Sequence, residues 1–134
     1  MRRLLGALVL VALVALTAIP AAGSHPQSGP VLTIDPASLQ RLRTENRPVA
    51  LIDVRPPDAY ARGRLPGARS IPLDALVPRQ GEVPAAAIVV LYGAESVDEA
   101  APAARYLRGA GHAAVFVLEG GFAGWAARGL GVEP

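Results

Sequence analysis

The chain has 134 residues, of which 51% are hydrophobic, so it has material for one modest core and we expect one domain. It contains no cysteine, which excludes disulfides, thiolate metal sites and every mechanism that needs a cysteine nucleophile. The net charge of +2 equals the contribution of Arg2 and Arg3, and only 4% of the residues are aromatic, so the composition argues against a nucleic-acid partner.

The first 23 residues have the layout of a secretory signal peptide. Arg2 and Arg3 precede an uncharged apolar run over residues 4–19, and a proline and small residues follow. As a helix this run would reach about 24 Å, short of a bilayer core of roughly 30 Å, which favours cleavage over an uncleaved N-terminal membrane anchor. Both alternatives predict export to the periplasm or the exterior, with membrane contact only through this segment.

Residues 24–30 are predicted to be a linker, and the rest of the chain alternates strands and helices. We expect strands at residues 31–34, 49–54, 70–71, 87–92 and 114–118, and helices or helical turns at 36–44, 56–60, 72–76, 99–108 and 122–128. The apolar runs at 49–54 and 88–91 fit strands buried on both faces, the second at the centre of the sheet. This pattern predicts an α/β fold whose mostly parallel sheet is covered by helices on both faces.

Three blocks in this order resemble the rhodanese-like family. They are DVR at residues 53–55 with Tyr60 and GRLPGARSIP at 63–72, the strand at 88–92 with its loop and helix, and VLEGG at 117–121 with Trp125. The resemblance covers residues 31–132, although Arg64 stands where the family usually has His. It implies a single rhodanese-like domain with a five-stranded sheet and an active-site loop after the fourth strand.

The loop after the fourth strand departs from the family pattern. Members that transfer sulfur carry a cysteine directly after this strand, and the resemblance places Gly93 there, so no catalytic residue is predicted. The equivalent of the active-site loop is Gly93, Ala94, Glu95, Ser96, Val97, Asp98 and Glu99. Each of its three carboxylates would repel an anion 4 Å away by about 1 kcal/mol in water, so the loop disfavours thiosulfate.

The acidic residues of this loop have a simpler explanation as helix caps. Residues 96–99 match a capping box, although a helix capped by Ser96 would place Pro102 beyond its first turn. We therefore expect the helix to begin at Asp98 or Glu99, with the acids complementing its dipole. Binding of a cation or a basic partner is the less favoured alternative.

Two further sets of side chains are candidates for the site. Asp53 and Arg55 are expected to form a buried ion pair or part of a binding rim, with a structural role favoured for Asp53. Arg55, Arg64 and Arg69 are clustered in sequence and would form an anion-binding rim, or be solvated arginines on a turn.

No metal or cofactor is predicted. His25 and His112 lack a second ligand at metal spacing, and Ser70 and Ser96 lack a paired base.

The favoured hypothesis is an exported rhodanese-like domain that works as a non-catalytic binding or regulatory module for an unidentified small ligand or protein partner. The alternatives are the family's thiosulfate sulfurtransferase activity, a different cysteine-free reaction, and a structural module tethered to a membrane.

Overall fold

A computed structural model describes residues 30–85 and 87–134, so the predicted signal peptide and nearly all of the predicted linker lie outside the described residues. The described strands are β1 (Thr33–Ile34), β2 (Val49–Asp53), β3 (Arg69–Ser70), β4 (Ile88–Tyr92) and β5 (Val115–Leu118). The described α-helices are α1 (Pro36–Thr44), α2 (Pro57–Arg62), α3 (Leu76–Arg79), α4 (Val97–Gly109) and α5 (Gly121–Ala127). Two 3₁₀ turns, Leu73–Ala75 and Gln80–Glu82, flank α3.

The described strands form a single sheet in the order β1-β5-β4-β2-β3. Every pairing in it is parallel, and β4 lies at the centre, which confirms both the fold class and the position predicted for this strand. The chain moves outward in opposite directions from the central pair, from β2 to β3 and from β4 to β5. The crevice at the carboxyl ends of β2 and β4 is therefore the topological switch point, where open α/β sheets bind ligands.

Helices cover both faces of the sheet, and the alternation of side chains along β4 separates the two cores. Val89 and Leu91 face α4, which contributes a stripe of alanines that lets the helix approach closely. Val90 and Tyr92 face α1 and α5, which contribute the larger Leu39 and Trp125.

Helix α4 begins at Val97, so the predicted start at Asp98 or Glu99 is wrong. Ser96 is the N-cap, and its hydroxyl accepts a hydrogen bond from the backbone N–H of Asp98 at 3.1 Å. The Glu99 carboxylate accepts from the backbone N–H of Ser96 at 3.0 Å, which completes the capping box. The helix keeps Pro102 in its interior, because these cap bonds offset the single backbone bond that the proline removes.

Smaller differences from the predicted elements lie at their ends. Strand β3 begins one residue early, at Arg69, and the single turn expected at 72–76 continues through α3 into a second 3₁₀ turn. Within α1, Leu39 is fully buried, whereas Leu42 is only half-buried.

The C-terminal residues are attached to the domain by backbone and side-chain hydrogen bonds. Glu133 forms an antiparallel bridge with Arg64, with backbone N···O distances of 2.9 and 2.8 Å. The Trp125 indole N–H donates to the carbonyl of Gly131 at 2.8 Å. None of the helices within residues 30–85 and 87–134 is long and apolar enough to cross a membrane.

Candidate functional site

An open cavity of about 840 Å³ lies at the switch point of the sheet. Segments that follow β2, β3 and β4 line it with Val54, Arg55, Pro56, Pro57, Ala59, Arg62, Pro72, Leu73, Asp74, Gly93, Ala94 and Glu99. Prolines and aliphatic side chains dominate this lining, and the four charged residues are two arginines and two acids. The cavity thus has the mixed, mainly apolar character of a ligand pocket.

The Glu99 carboxylate lies in the loop that forms one wall of the cavity. Its Oε2 accepts a hydrogen bond from the N–H of Ala94 at 2.8 Å, and its Oε1 accepts from Glu95 and Ser96 at 3.1 and 3.0 Å. Partial burial opposes the charged form, but the three N–H groups prevail and lower the pKa of Glu99 below its ordinary value. The N–H groups of residues 94–96 are therefore already bonded to an anion that the chain itself supplies.

Gly93 is buried, and its lack of a side chain is what makes room for Glu99. A Cβ at residue 93 would lie 2.6 Å from the Cβ of Glu99 and 2.9 Å from its Oε2. The first of these contacts cannot be relieved by rotating a flexible side chain, because the Cβ of Glu99 is fixed to the first turn of α4. Residue 93, where the resemblance places a cysteine, thus has no space for any side chain while Glu99 keeps this position.

The start of α5 supports the same loop from the opposite side. The N–H of Phe122 donates to the carbonyl of Gly93 at 2.9 Å, and the N–H of Ala123 donates to that of Ala94 at 2.8 Å. Gly121 is required here on two grounds: its φ is +55°, and a Cβ on it would lie 2.6 Å from the carbonyl oxygen of Gly93. The carbonyls of Gly93 and Ala94 and the N–H of Ala94 are thereby held between two helices.

Asp53 and Arg55 form a buried ion pair at the base of the cavity. The Arg55 guanidinium donates to both carboxylate oxygens of Asp53, at 2.6 Å for the shortest contact, and also to the carbonyl of Gly63 at 2.6 Å. Its planar face packs over the Phe122 ring at 4.2 Å. These contacts engage Arg55 inside the domain, which leaves it 7% exposed.

Tyr92 joins this ion pair to the loop at residues 63–68. Its hydroxyl donates to Asp53 at 2.8 Å and accepts from the N–H of Leu65 at 3.2 Å. Burial, reinforced by the Asp53 carboxylate, raises the pKa of Tyr92, so the phenol stays protonated and acts as a fixed donor.

The three arginines considered as a rim do not line one surface. Arg55 lines the cavity, whereas Arg64 packs over Tyr60 at 4.5 Å and pairs with Glu133 at 3.7 Å. Arg69 donates to the carbonyl of Glu82 at 3.1 Å, on the 3₁₀ turn that follows α3.

The sequence interpretation missed several lining residues that follow β2 and β3. Arg62, Leu73 and Asp74 line the cavity although no motif singled them out, and Pro72 was noted only as the last residue of the 63–72 block. Their position after parallel strands was the signal that could have identified them, because such segments meet at the carboxyl edge of the sheet. Within the described residues, no group of three His, Asp or Glu side chains is placed to hold a metal ion.

Comparison with known protein families decides the classification. The model of the family described as "Rhodanese-like domain" matches residues 35–128, which is more than half of the chain. The chain belongs to the rhodanese-like domain family. At the position after β4 where the resemblance places a cysteine, this rhodanese-like domain has Gly93, and its sequence contains no cysteine.

Several bacterial proteins are similar to this rhodanese-like domain over most of its length. A protein named sulfurtransferase from Allochromatium vinosum is 35% identical over 100 residues, which cover 72% of this chain and 90% of the relative. A protein named thiosulfate sulfurtransferase GlpE from Pseudomonas putida is 33% identical over 96 residues, covering 70% and 84% of the two chains. The uncharacterized protein YqhL from Bacillus subtilis is 38% identical over 86 residues, covering 64% and 68%.

Solved structures agree with the fold. A rhodanese-like domain protein from Staphylococcus aureus superposes with a TM-score of 0.64 at 27% identity and covers 71% of this chain and 91% of its own. A rhodanese-related protein from Thermoplasma volcanium gives a TM-score of 0.67 at 22% identity, covering 76% and 97%, which supports the fold alone.

Proposed function

We propose that the chain is an exported, non-catalytic rhodanese-like domain that binds a small ligand or a protein partner in the cavity beside residues 93–99. One observation carries the non-catalytic part of this proposal. Gly93 stands directly after β4, and the space that a side chain would need there is taken by Glu99. A cysteine-based sulfur transfer needs a thiolate to accept the sulfur atom, and this chain has none to supply.

The binding role rests on the cavity itself. Its volume of about 840 Å³ falls in the range of small-molecule sites, and its lining is mainly apolar. The side chains at the base of the cavity are held in place by hydrogen bonds. Asp53 accepts from both Arg55 and Tyr92, and Arg55 also donates to a backbone carbonyl. Such a site is pre-organised to receive a ligand without rearranging its base.

A second candidate is a sulfurtransferase activity, which the name of one relative gives without a substrate and the name of another gives as thiosulfate sulfurtransferase. It would require an acceptor for the sulfur atom other than a cysteine thiolate. One assay distinguishes the catalytic candidate from the non-catalytic one. It measures thiosulfate:cyanide sulfurtransferase turnover by the full chain, with GlpE from Pseudomonas putida as the reference. We expect no turnover above the uncatalysed rate, and turnover comparable to that of GlpE would refute the non-catalytic role.

The binding role is tested by screening a small-molecule library for thermal stabilisation of the chain. Ala94→Phe places a bulky ring on a residue that lines the cavity, whereas Ala126→Phe places the same ring on an exposed residue of α5 outside the lining. A ligand of the cavity should stabilise the native chain and the Ala126→Phe variant and lose its effect on Ala94→Phe. Hits that stabilise all three chains equally would contradict this site.

Export is supported by the layout of residues 1–23. Fractionation of a bacterial host, followed by N-terminal sequencing of the recovered protein, distinguishes a cleaved signal from a retained anchor. A retained anchor combined with a cavity that takes no ligand would favour the structural, membrane-tethered module instead.

A further inference from the structure

Three consecutive backbone N–H groups, those of residues 94–96, converge on one carboxylate at 2.8 to 3.1 Å. Successive N–H groups that point into one concavity form an anion site. The site also lies at the amino end of the thirteen-residue helix α4, whose dipole favours negative charge there. Every feature of an anion-binding loop is thus present, and the anion is a side chain of the same protein.

The position of the Glu99 carboxylate depends on the small size of residue 93. Glu99 approaches the loop so closely that a Cβ on Gly93 would lie 2.6 Å from the Cβ of Glu99. The φ of Gly93 lies outside the left-handed region, so space and not backbone conformation is what requires a glycine here.

We propose that Glu99 is an intramolecular occupant of an anion-binding loop and that Gly93 and Glu99 are a mutually dependent pair. The pair sets the specificity of the cavity: small oxyanions such as sulfate and thiosulfate are excluded from the loop by both the bulk and the charge of Glu99. Removal of the Glu99 side chain opens a site for these anions on the N–H groups of residues 94–96. This inference does not depend on the proposed binding role, because it holds even if the native cavity takes no external ligand.

The first test measures anion binding by backbone amide NMR. Sulfate and, separately, thiosulfate are titrated into the full native chain and the variants Glu99→Ala, Glu99→Gln and Glu95→Ala. We expect saturable shifts of the residue 94–96 amides in Glu99→Ala alone, with an affinity at least about tenfold above that of the native chain, since a lost ionic repulsion of about 1.4 kcal/mol is a tenfold change.

The two other variants are matched controls. Glu99→Gln removes the charge but keeps the loop filled. Glu95→Ala removes an exposed acid of the same loop, and the three N–H bonds of residues 94–96 go to Glu99 and not to this carboxylate. Equal anion binding by Glu95→Ala and Glu99→Ala would show that the loss of any negative charge in this loop is sufficient, and it would overturn the proposal. Absence of saturable shifts in Glu99→Ala would also overturn it. If Glu99→Ala does not fold, Glu99→Ser opens the same space with a residue that suits the first turn of a helix.

The second test is a double-mutant cycle on the pair, measured by urea unfolding of the native chain, Gly93→Ala, Glu99→Gly and the double variant. Overpacking predicts that Gly93→Ala lowers the folding equilibrium constant by about tenfold to a hundredfold beside Glu99. The same substitution should cost less than about threefold beside Gly at residue 99, where the Cβ it would meet is gone. Gly81→Ala is the control, because a Cβ on Gly81 meets nothing within 4 Å. Additive effects of the two substitutions would refute the mutual dependence.

Discussion

Asp53 and Asp58 each pair with an arginine, and their different burial makes the two ion pairs unequal. Asp53 and Arg55 are 0% and 7% exposed, whereas Asp58 and Arg62 are 71% and 72% exposed. Asp53→Asn leaves the buried Arg55 charge without its counterion and should lower the free energy of unfolding by about 3 kcal/mol or more. Asp58→Asn should cost less than about 1 kcal/mol. Urea unfolding of both variants checks this, and equal losses would show that burial is not decisive.

Gly93→Cys tests whether the missing sulfur atom is the only barrier to sulfur transfer. The geometry predicts that it is not, because the new Cβ would meet the Cβ of Glu99 at 2.6 Å. We expect this variant to be less stable than the native chain by about 1–3 kcal/mol and to show no thiosulfate:cyanide turnover. Full activity from this single substitution would mean that the first turn of α4 moves freely.

The Glu99 carboxylate should make the stability of the domain depend on pH. Its folded-state pKa lies below the ordinary value of 4.5, so the unfolded chain binds its proton first as the pH falls. The stabilisation is therefore full above about pH 4.5 and is lost as the pH falls through the folded-state pKa. The stability difference between the native chain and Glu99→Gln should shrink from pH 6 to pH 3 in urea titrations, whereas a constant difference would contradict the depressed pKa.

At the scale of the element, Pro102 makes α4 weaker than its length suggests. The proline lies in the helix interior and is exposed, and it has no N–H to donate to the carbonyl of Asp98. Pro102→Ala should raise the free energy of unfolding by about 2 kcal/mol, after about 1 kcal/mol is subtracted for the more flexible unfolded chain. Pro36→Ala is the control, because Pro36 opens α1 where no N–H is needed, and it should give no gain.

Local patterns predicted the elements well where one signal was dominant. The apolar run at 88–91 predicted the central strand, and its all-parallel pairing follows from burial on both faces. The start of α4 was mispredicted because the penalty of Pro102 was weighed without the second role of Glu99. Its carboxylate bonds to the N–H groups of Ala94 and Glu95 as well as to that of the N-cap.

At the scale of the molecule, the family resemblance predicted the fold and the position of the loop. It did not predict the residues that line the cavity, because these depend on the order of the strands in the sheet. Leu73 and Asp74 follow β3, and residues 93–94 follow β4. They line the same cavity because both strands pair in parallel with β2, which places their carboxyl ends at one edge of the sheet. Side-chain directions were likewise not readable: Arg55 points inward and Arg69 outward.

The C-terminal residues should contribute to global stability through Trp125, the single tryptophan of the chain. Deletion of residues 131–134 removes the carbonyl that accepts its indole N–H and the bridge between Glu133 and Arg64. We expect a loss of about 1–3 kcal/mol in unfolding experiments and a red shift of tryptophan fluorescence, because Trp125 is 1% exposed in the intact fold. Deletion of Pro134 alone should change neither quantity, and equal behaviour of both truncations would contradict this role.

The close approach of Glu99 to Gly93 also bears on how this lineage can evolve. A cysteine at residue 93 would by itself bring its Cβ to 2.6 Å from the first turn of α4. A change at residue 99 alone is also unfavourable, because it removes the carboxylate that accepts the N–H groups of residues 94–96. A thiol at this position therefore requires changes at both residues, and in either order the chain carrying only the first change is expected to be less stable.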